Sequence, residues 1–303
     1  QPDPPVCAEQ WRSIQGQAWS SWSCAVTFDS PVEDWACHPL AKPFFEDTRF
    51  RWSENHVRLG SKQNFAHAMR IVSSVPGVHA IACADQDDVW YPQKLETLAR
   101  ALASKPPLSL VHCDMHVLVN GIKQEQTAWQ VECRGVKQVE LRHFLIRNVV
   151  AGAAMLVDAE LVRRFDQVSD EAEYHDHWYA ALASAHGGVY AVNEPLFAYR
   201  QHGGNVVGVS PYRGRFWLPS SVRSVSDVLA KCKAGFRKSL RLAQAVDRAG
   251  CLRNPMDRLA FLSRREPGVL IAGLGISNWF KDPPLARACL ARGVGKLLDT
   301  FTA

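Results

Sequence analysis

The sequence predicts an α/β fold, a mainly parallel sheet flanked by helices with a helical C-terminal extension, and three observations predict it. An apolar run, Ala80 to Cys83, follows the Pro76-Gly77 turn and ends in acids, as a buried strand does when it delivers polar side chains to its C-terminal edge. A helical stretch from Lys94 to Leu102 and a second apolar run, Leu108 to Cys113 ending at Asp114, follow at intervals that argue a βαβ unit. Charge is also unevenly placed: Pro211 to Ala303 carries 17 Lys and Arg against 6 Asp and Glu, in a chain whose net charge is +5. That asymmetry divides the chain into an α/β domain, residues 1–210, and a basic helical segment, residues 211–303.

With 303 residues and 47% apolar composition, the chain is long enough to bury a sizeable core. Nine cysteines without CxxC pairs read as buried reduced thiols rather than a disulfide framework or a zinc site, which favours the cytosol. No run approaches the length of a membrane span, and the polar, proline-rich start is no signal peptide.

In chain order, a helical stretch around Ala8 to Gln17 precedes a strand from Cys24 to Phe28, which ends at Asp29, with Asp34 following. Asp29 and Asp34 read either as a plain turn or as part of a nucleotide site. Phe50 to Trp52 forms a short strand, and Arg58 to Asn64 leads into a helix from Phe65 to Ser73. Lys62 and Asn64 sit at that helix start, where backbone N–H groups favour a phosphate or a polar base edge; a capped surface helix is the plainer alternative.

Asp85, Asp87 and Asp88 then place three carboxylates in four residues at a strand end, where ligands bind in open α/β sheets. Crowding like charges there costs stability unless a cation offsets the repulsion, and oxygen-rich, thiol-free ligation suits Mg2+ or Mn2+. Capping of the helix after Pro92 accounts for one of these acids but not for three.

Val117 to Gln138 reads as a turn and connection around Gly121, and Asp114 as a solvated strand end in preference to a further acid facing the same site. Asn148 to Val157 joins a small-residue turn to a strand, the small residues allowing either close substrate approach or tight packing. His175, Asp176 and His177 precede a helix from Trp178 to Ala185, with Asp176 either a functional carboxylate or its N-cap. Gly188 to Tyr199 reads as strand, turn and strand about Asn193 to Pro195, leading to His202 on a glycine-rich loop. Beyond Pro211, apolar residues from Val225 to Ala243 recur at helical spacing between Lys231, Lys233, Lys238 and Arg241. This amphipathic helix either meets an anionic membrane surface or packs on the α/β domain with a solvated basic face. No nucleic-acid-binding motif accompanies the charge.

Five segments in order carry a resemblance: Arg58-Leu-Gly-Ser-Lys-Gln-Asn-Phe65, Asp85-Gln-Asp-Asp-Val-Trp-Tyr-Pro-Gln-Lys94, Asn148-Val-Val-Ala-Gly-Ala-Ala-Met155, His175-Asp-His-Trp178 and Tyr199-Arg-Gln-His-Gly-Gly-Asn-Val-Val-Gly208. Together they resemble family 2 glycosyltransferases of the GT-A fold, especially bacterial rhamnosyltransferase-like members. The resemblance implies inverting transfer of a sugar, L-rhamnose for preference, from a dTDP- or UDP-sugar to a glycan or lipid-linked acceptor in surface polysaccharide synthesis. That places the protein in the cytoplasm or at the inner face of the membrane. It implies Asp85, Asp87, Asp88 and His202 as ligands of Mn2+ or Mg2+, Asp176 as the general base flanked by His175 and Trp178, and Asp29, Lys62, Asn64, Asp85 and Arg200 as donor contacts. The family places a strand before the first helix, and here Gln1 to Val6 stands where its end belongs; the Asp29 to Asp34 loop also departs from the family pattern. Those departures keep open a non-catalytic relative that binds an acceptor or partner, and the acids alone keep open a metal-dependent phosphohydrolase.

Overall fold

In the computed structural model, which describes residues 3–29, 35, 38–132, 140–203, 208–209, 225–263, 268, 270–272 and 283–301, the first element is helix α1 (Pro4–Gln15). Proline at its first turn suits a helix start, and Cys7, Ala8, Trp11 and Ile14 recur at three and four to bury one face. Trp11 meets Trp35, Phe44 and Trp52 edge-on at centroid distances of 5.8, 5.2 and 5.3 Å. This aromatic cluster seats α1 on a parallel pair of strands, β1 (Cys24–Phe28) and β2 (Phe50–Glu54).

Helix α2 (Gly60–Ser73) starts five residues before the predicted Phe65, so Lys62 and Asn64 lie inside it. Next come β3 (Ala80–Ala82), β4 (Val89–Trp90), α3 (Lys94–Ala103), β5 (Leu110–Val119), β6 (Ile122–Thr127), β7 (Met155–Asp158), α4 (Ala159–Arg164), α5 (His175–Ala185) and β8 (Val189–Gln201). The main sheet runs β3-β7-β5-β8-β4, with β6 hairpinned onto β5.

The α/β class and its flanking helices are as predicted, but the sheet is mixed rather than mainly parallel. β7 lies antiparallel between β3 and β5, β4 is antiparallel to β8, and among the described residues of this sheet only β5 and β8 pair in parallel. The β3-α3-β5 unit keeps its predicted common direction, since two antiparallel steps through β7 restore it. What the sequence pattern does not report is that a strand from more than 30 residues further along is inserted between its ends.

Three local expectations are corrected. Asp114 is no solvated strand end: it lies mid-strand and buried, its carboxylate accepting from the N–H groups of Met115 and Trp129. The turn at Asn120 and Gly121, both with positive φ, closes a hairpin whose second arm, β6, is exposed from Ile122 to Gln126 and therefore shows no apolar alternation. Asn193 to Pro195 is not a turn but an irregularity within the single strand β8, where Asp114 faces Pro195. A bulge tolerates proline because the ladder is already interrupted there.

Neighbouring residues of β5 enter different cores, Leu110 with α5 and Val111 with β4, α3 and the α1 aromatics. Helices α6 (Val225–Arg248), α7 (Pro255–Leu262) and α8 (Pro283–Phe301) follow. Phe236, Leu242, Ala243 and Val246 of α6 join the core of Trp178 to Ala183, so the basic segment shares a core with the α/β part. Part of its charge is paired: Lys238 with Glu173, Arg241 with Glu171, and Lys233 and Arg237 with Asp299. Among the described residues no helix is long and apolar enough to cross a membrane.

Candidate active site

Strand β3 delivers the acidic turn. Asp85 is half-buried, and burial, then the neighbouring Asp87, pushes its carboxyl up to about 6. Asp88 is fully buried and raised well above the ordinary range by burial, Asp85 and Asp87; its Oδ1 accepts from the Arg200 N–H at 3.1 Å, while Oδ2 has no hydrogen-bond partner among the described residues. Asp87 Oδ2 lies 2.8 Å from His202 Nε2. Strand β4 separates these acids from α3, whose N-cap is Gln93, so helix capping does not account for them.

Beneath the turn lies Lys94, fully buried, its Nζ donating to the Ala153 carbonyl at 2.6 Å and sitting over the rings of Trp90 and Phe197. Burial pushes its ammonium down to about 8, against the pull of Asp88 and Asp85. One ammonium facing three carboxylates leaves the turn short of positive charge, and the orphaned Asp88 oxygen adds a desolvation cost. A divalent cation fits that donor set. Among the described residues no three acids, histidines or cysteines are gathered into a cage, so the four predicted ligands provide at most part of a coordination shell. Magnesium-like ions bind in that way, keeping water and taking phosphate oxygens.

Across the cleft, Asp176 sits in the first turn of α5, whose N-cap is Tyr174 rather than Asp176. Its carboxylate accepts from the His177 N–H at 2.6 Å, from Asn148 Nδ2 at 3.1 Å and from the Gly152 N–H. Burial nevertheless dominates and pushes it up to about 7, with a smaller push from Asp85. His175 beside it is buried and stacked on Phe65 at 4.3 Å. Trp178, the other residue flanking Asp176 in the motif, is 4% exposed and packs within the core.

Asp29, Asn64, Asp85, Asp87, Asp176 and His202 line one long cleft. Asp29 is committed to the protein: burial would raise its carboxyl, but hydrogen bonds from Asn55 and the N–H groups of Leu59 and Gly60 hold it below the ordinary value. Asn64 donates to the Thr27 carbonyl and accepts from Asn55. Lys62 and Arg200 are not among the residues that line the cleft. Lys62 Nζ is drawn to the carbonyls of Asp170 and Ala172, and the Arg200 guanidinium to Glu9 and the Asp87 carbonyl. Asp88 stands behind the wall. Asp34 and much of the loop after Gly203 lie outside the described residues.

Sequence reasoning assigned no role to Lys94 or Asn148. A signal existed for Lys94, which shares a helix face with the buried Leu98 at i+4 and so occupies an apolar position.

No family model matches the chain, and no curated protein sequence does. Among solved structures, the chain is similar to the mannosyltransferase PcManGT from Pyrobaculum calidifontis in complex with GDP-Man and Mn2+, with a TM-score of 0.52, 16% identity, and coverage of 99% of this chain and 76% of that one. It is also similar to S. aureus TarS 1-349 in complex with UDP-GlcNAc, with a TM-score of 0.50, 11% identity, and coverage of 98% and 87%. At these identities the likeness concerns the fold, which is GT-A-like.

Proposed function

We propose that the protein transfers a glycosyl group from a nucleotide-sugar donor to an acceptor hydroxyl, with inversion at the anomeric carbon. The observation that carries this reading is that two kinds of carboxylate, delivered by different elements, line one cleft. A charge-dense turn, Asp85 and Asp87 with His202, faces a single buried carboxyl, Asp176, raised to about 7 on another element. Inverting transfer needs that division, because the acceptor must be deprotonated on the side away from the departing diphosphate. Similarity to structures holding UDP-GlcNAc and GDP-Man with Mn2+ supports a nucleotide-sugar donor.

Asp85 and Asp87, with His202 beside them and Asp88 behind, would hold Mn2+ or Mg2+, which when bound neutralises charge developing on the leaving diphosphate. Asn148, Gly152 and the His177 N–H fix the Asp176 carboxylate. Asp176 takes the acceptor proton as the hydroxyl oxygen bonds to the anomeric carbon and the bond from that carbon to the diphosphate oxygen breaks. Lys94, bonded to the Ala153 carbonyl, would offset part of the charge of Asp85 and Asp88. The resemblance of the Asp85 to Trp90 stretch to rhamnosyltransferase-like members supports dTDP-rhamnose as donor, and the wider resemblance implies a glycan or lipid-linked acceptor of surface polysaccharide, handled in the cytoplasm or at the membrane's inner face.

A manganese-supplemented screen of dTDP-rhamnose, UDP-GlcNAc and GDP-mannose tests the reading: the expected product is a nucleoside diphosphate, whereas a phosphohydrolase would release a nucleoside monophosphate. One observation favours a second reading, a relative that binds without catalysis: Asp29, Lys62 and Arg200 all spend their polar groups within the protein. Titration with UDP or dTDP and manganese separates the two, since an active enzyme binds and a degenerate one does not.

A further inference from the structure

Among the described residues, His175 is the only side chain with two buried polar atoms lacking a hydrogen-bond partner: both Nδ1 and Nε2 are orphaned in a residue 6% exposed. A buried donor or acceptor left unmade is costly, and a side chain carrying two such atoms in the wall of a cleft is arranged for something that arrives there. The ring is rigidly held, lying within 18° of parallel to Phe65, and desolvation pushes its pKa to about 3. It is therefore neutral at physiological pH, with one nitrogen to donate and one to accept.

Its position relative to Asp176 is fixed by Gly152. A Cβ on Gly152 would lie 2.9 Å from His175 Nε2 and 3.6 Å from Asp176 Oδ2, so both side chains pack against the backbone at Gly152, an approach that glycine permits. All three residues line the cleft.

We propose that His175 is an acceptor-recognition residue, hydrogen-bonding a hydroxyl adjacent to the one that Asp176 deprotonates, so that the acceptor is a carbohydrate presenting neighbouring hydroxyls rather than an isolated alcohol. The inference rests on the glycosyl-transfer reading of the same cleft. An imidazole beside a carboxylate matches two neighbouring hydroxyls: one is bound by a neutral group that does not compete for the proton, and the other meets the base. Water needs no such second contact, so hydrolysis of the donor is the internal control.

The experiment uses the full chain with manganese, the three nucleotide sugars above, and methyl glycosides of rhamnose, galactose and glucose as acceptor probes. His175→Phe keeps the stack on Phe65 but removes both nitrogens, and His175→Asn restores a donor and an acceptor. In His175→Phe the KM for glycoside is expected to rise about five- to tenfold, the loss of roughly one hydrogen bond, with donor hydrolysis by water and UDP-manganese binding within twofold of wild type. His175→Asn should recover part of the loss, and it decides alone if the Phe variant does not fold. An unchanged glycoside KM, a rise confined to the donor KM, a parallel fall of transfer and hydrolysis in a folded variant, or wild-type hydrolysis that no glycoside accelerates or inhibits each overturns the assignment. If the wild type releases no nucleoside diphosphate from any donor, glycosyl transfer itself is refuted and the inference goes with it.

Discussion

At the scale of single residues, Asp176 decides between chemistry and architecture. General-base catalysis contributes roughly 10²- to 10⁴-fold, while Asn in place of Asp keeps the acceptor oxygen that Asn148 and the N–H groups of Gly152 and His177 address. Asp176→Asn should therefore fold and bind UDP with manganese as the wild type does, with transfer falling by about 10²-fold or more; wild-type transfer in that variant would reduce Asp176 to a structural role. Its pKa near 7 also fixes a pH dependence. The base must be ionised, so kcat should rise with pH through about 7 and level off above it. Stability should run the other way. Asp85, Asp88 and Asp176 all have folded pKa values raised above the unfolded one, so the native state holds more protons. Their stabilising effect is complete below the ordinary carboxylate range, near pH 4, and is lost as pH rises through the folded values. The metal-free protein should melt at lower temperature at pH 7.5 than at pH 5.5, and manganese should narrow the gap; calorimetry at the two pH values checks both.

At the scale of elements, the acidic turn and the His175 to Trp178 motif were legible because their chemistry is written in adjacent residues, although α5 begins at His175, three residues before the expected Trp178. Asp85, Asp87 and Asp88 fall within four positions and Asp176 within a compact motif, so one strand end or one helix start suffices to place them. Arg200 and Lys62 were not legible, because their partners, Glu9, Asp170 and Ala172, lie between 108 and 191 residues away and a cation's choice among distant acceptors leaves no local pattern. The insertion of β7 escaped for the same reason, and β6 because an exposed strand has no apolar alternation to show. Lys94 is the buried ammonium that feels the charge of Asp88 and Asp85. Replacing it by Met leaves the buried Asp88 and the half-buried Asp85 without their ammonium, a loss of at most about 3 to 5 kcal/mol by analogy with broken buried pairs. Lys94→Met should lower the urea midpoint accordingly, and adding Asp88→Asn should restore part of it by removing one unpaired charge. Additive effects in that double-mutant cycle would mean that Lys94 does not balance the cluster.

At the scale of the whole molecule, the charge step near Pro211 was legible from composition, but composition does not say where the charges point. Lys233, Arg237, Lys238 and Arg241 lie opposite Asp299, Glu173 and Glu171, and the apolar face between them fills the core against α5. Two consequences follow for the basic segment. Cutting the chain at 210 would strip Phe236, Leu242 and Val246 from the core that holds Trp178 and Tyr179. Each large apolar residue removed from a core costs about 2 to 5 kcal/mol, against a total stability of about 5 to 15 kcal/mol for a domain, so the truncated protein should lose its cooperative unfolding transition. The segment is thus part of the fold, and its affinity for membranes has to be measured on the intact chain. Exposed ion pairs contribute little and are screened by salt, so the pairing of four cations does not cancel the surplus of the segment's 17 basic over 6 acidic residues. The intact protein should bind vesicles containing anionic lipid at low salt, release them as ionic strength rises above about 0.15 M, and ignore neutral vesicles. Binding that is indifferent to lipid charge, or no binding at low salt, would mean that the basic face is only solvated and that the acceptor is met without help from the bilayer.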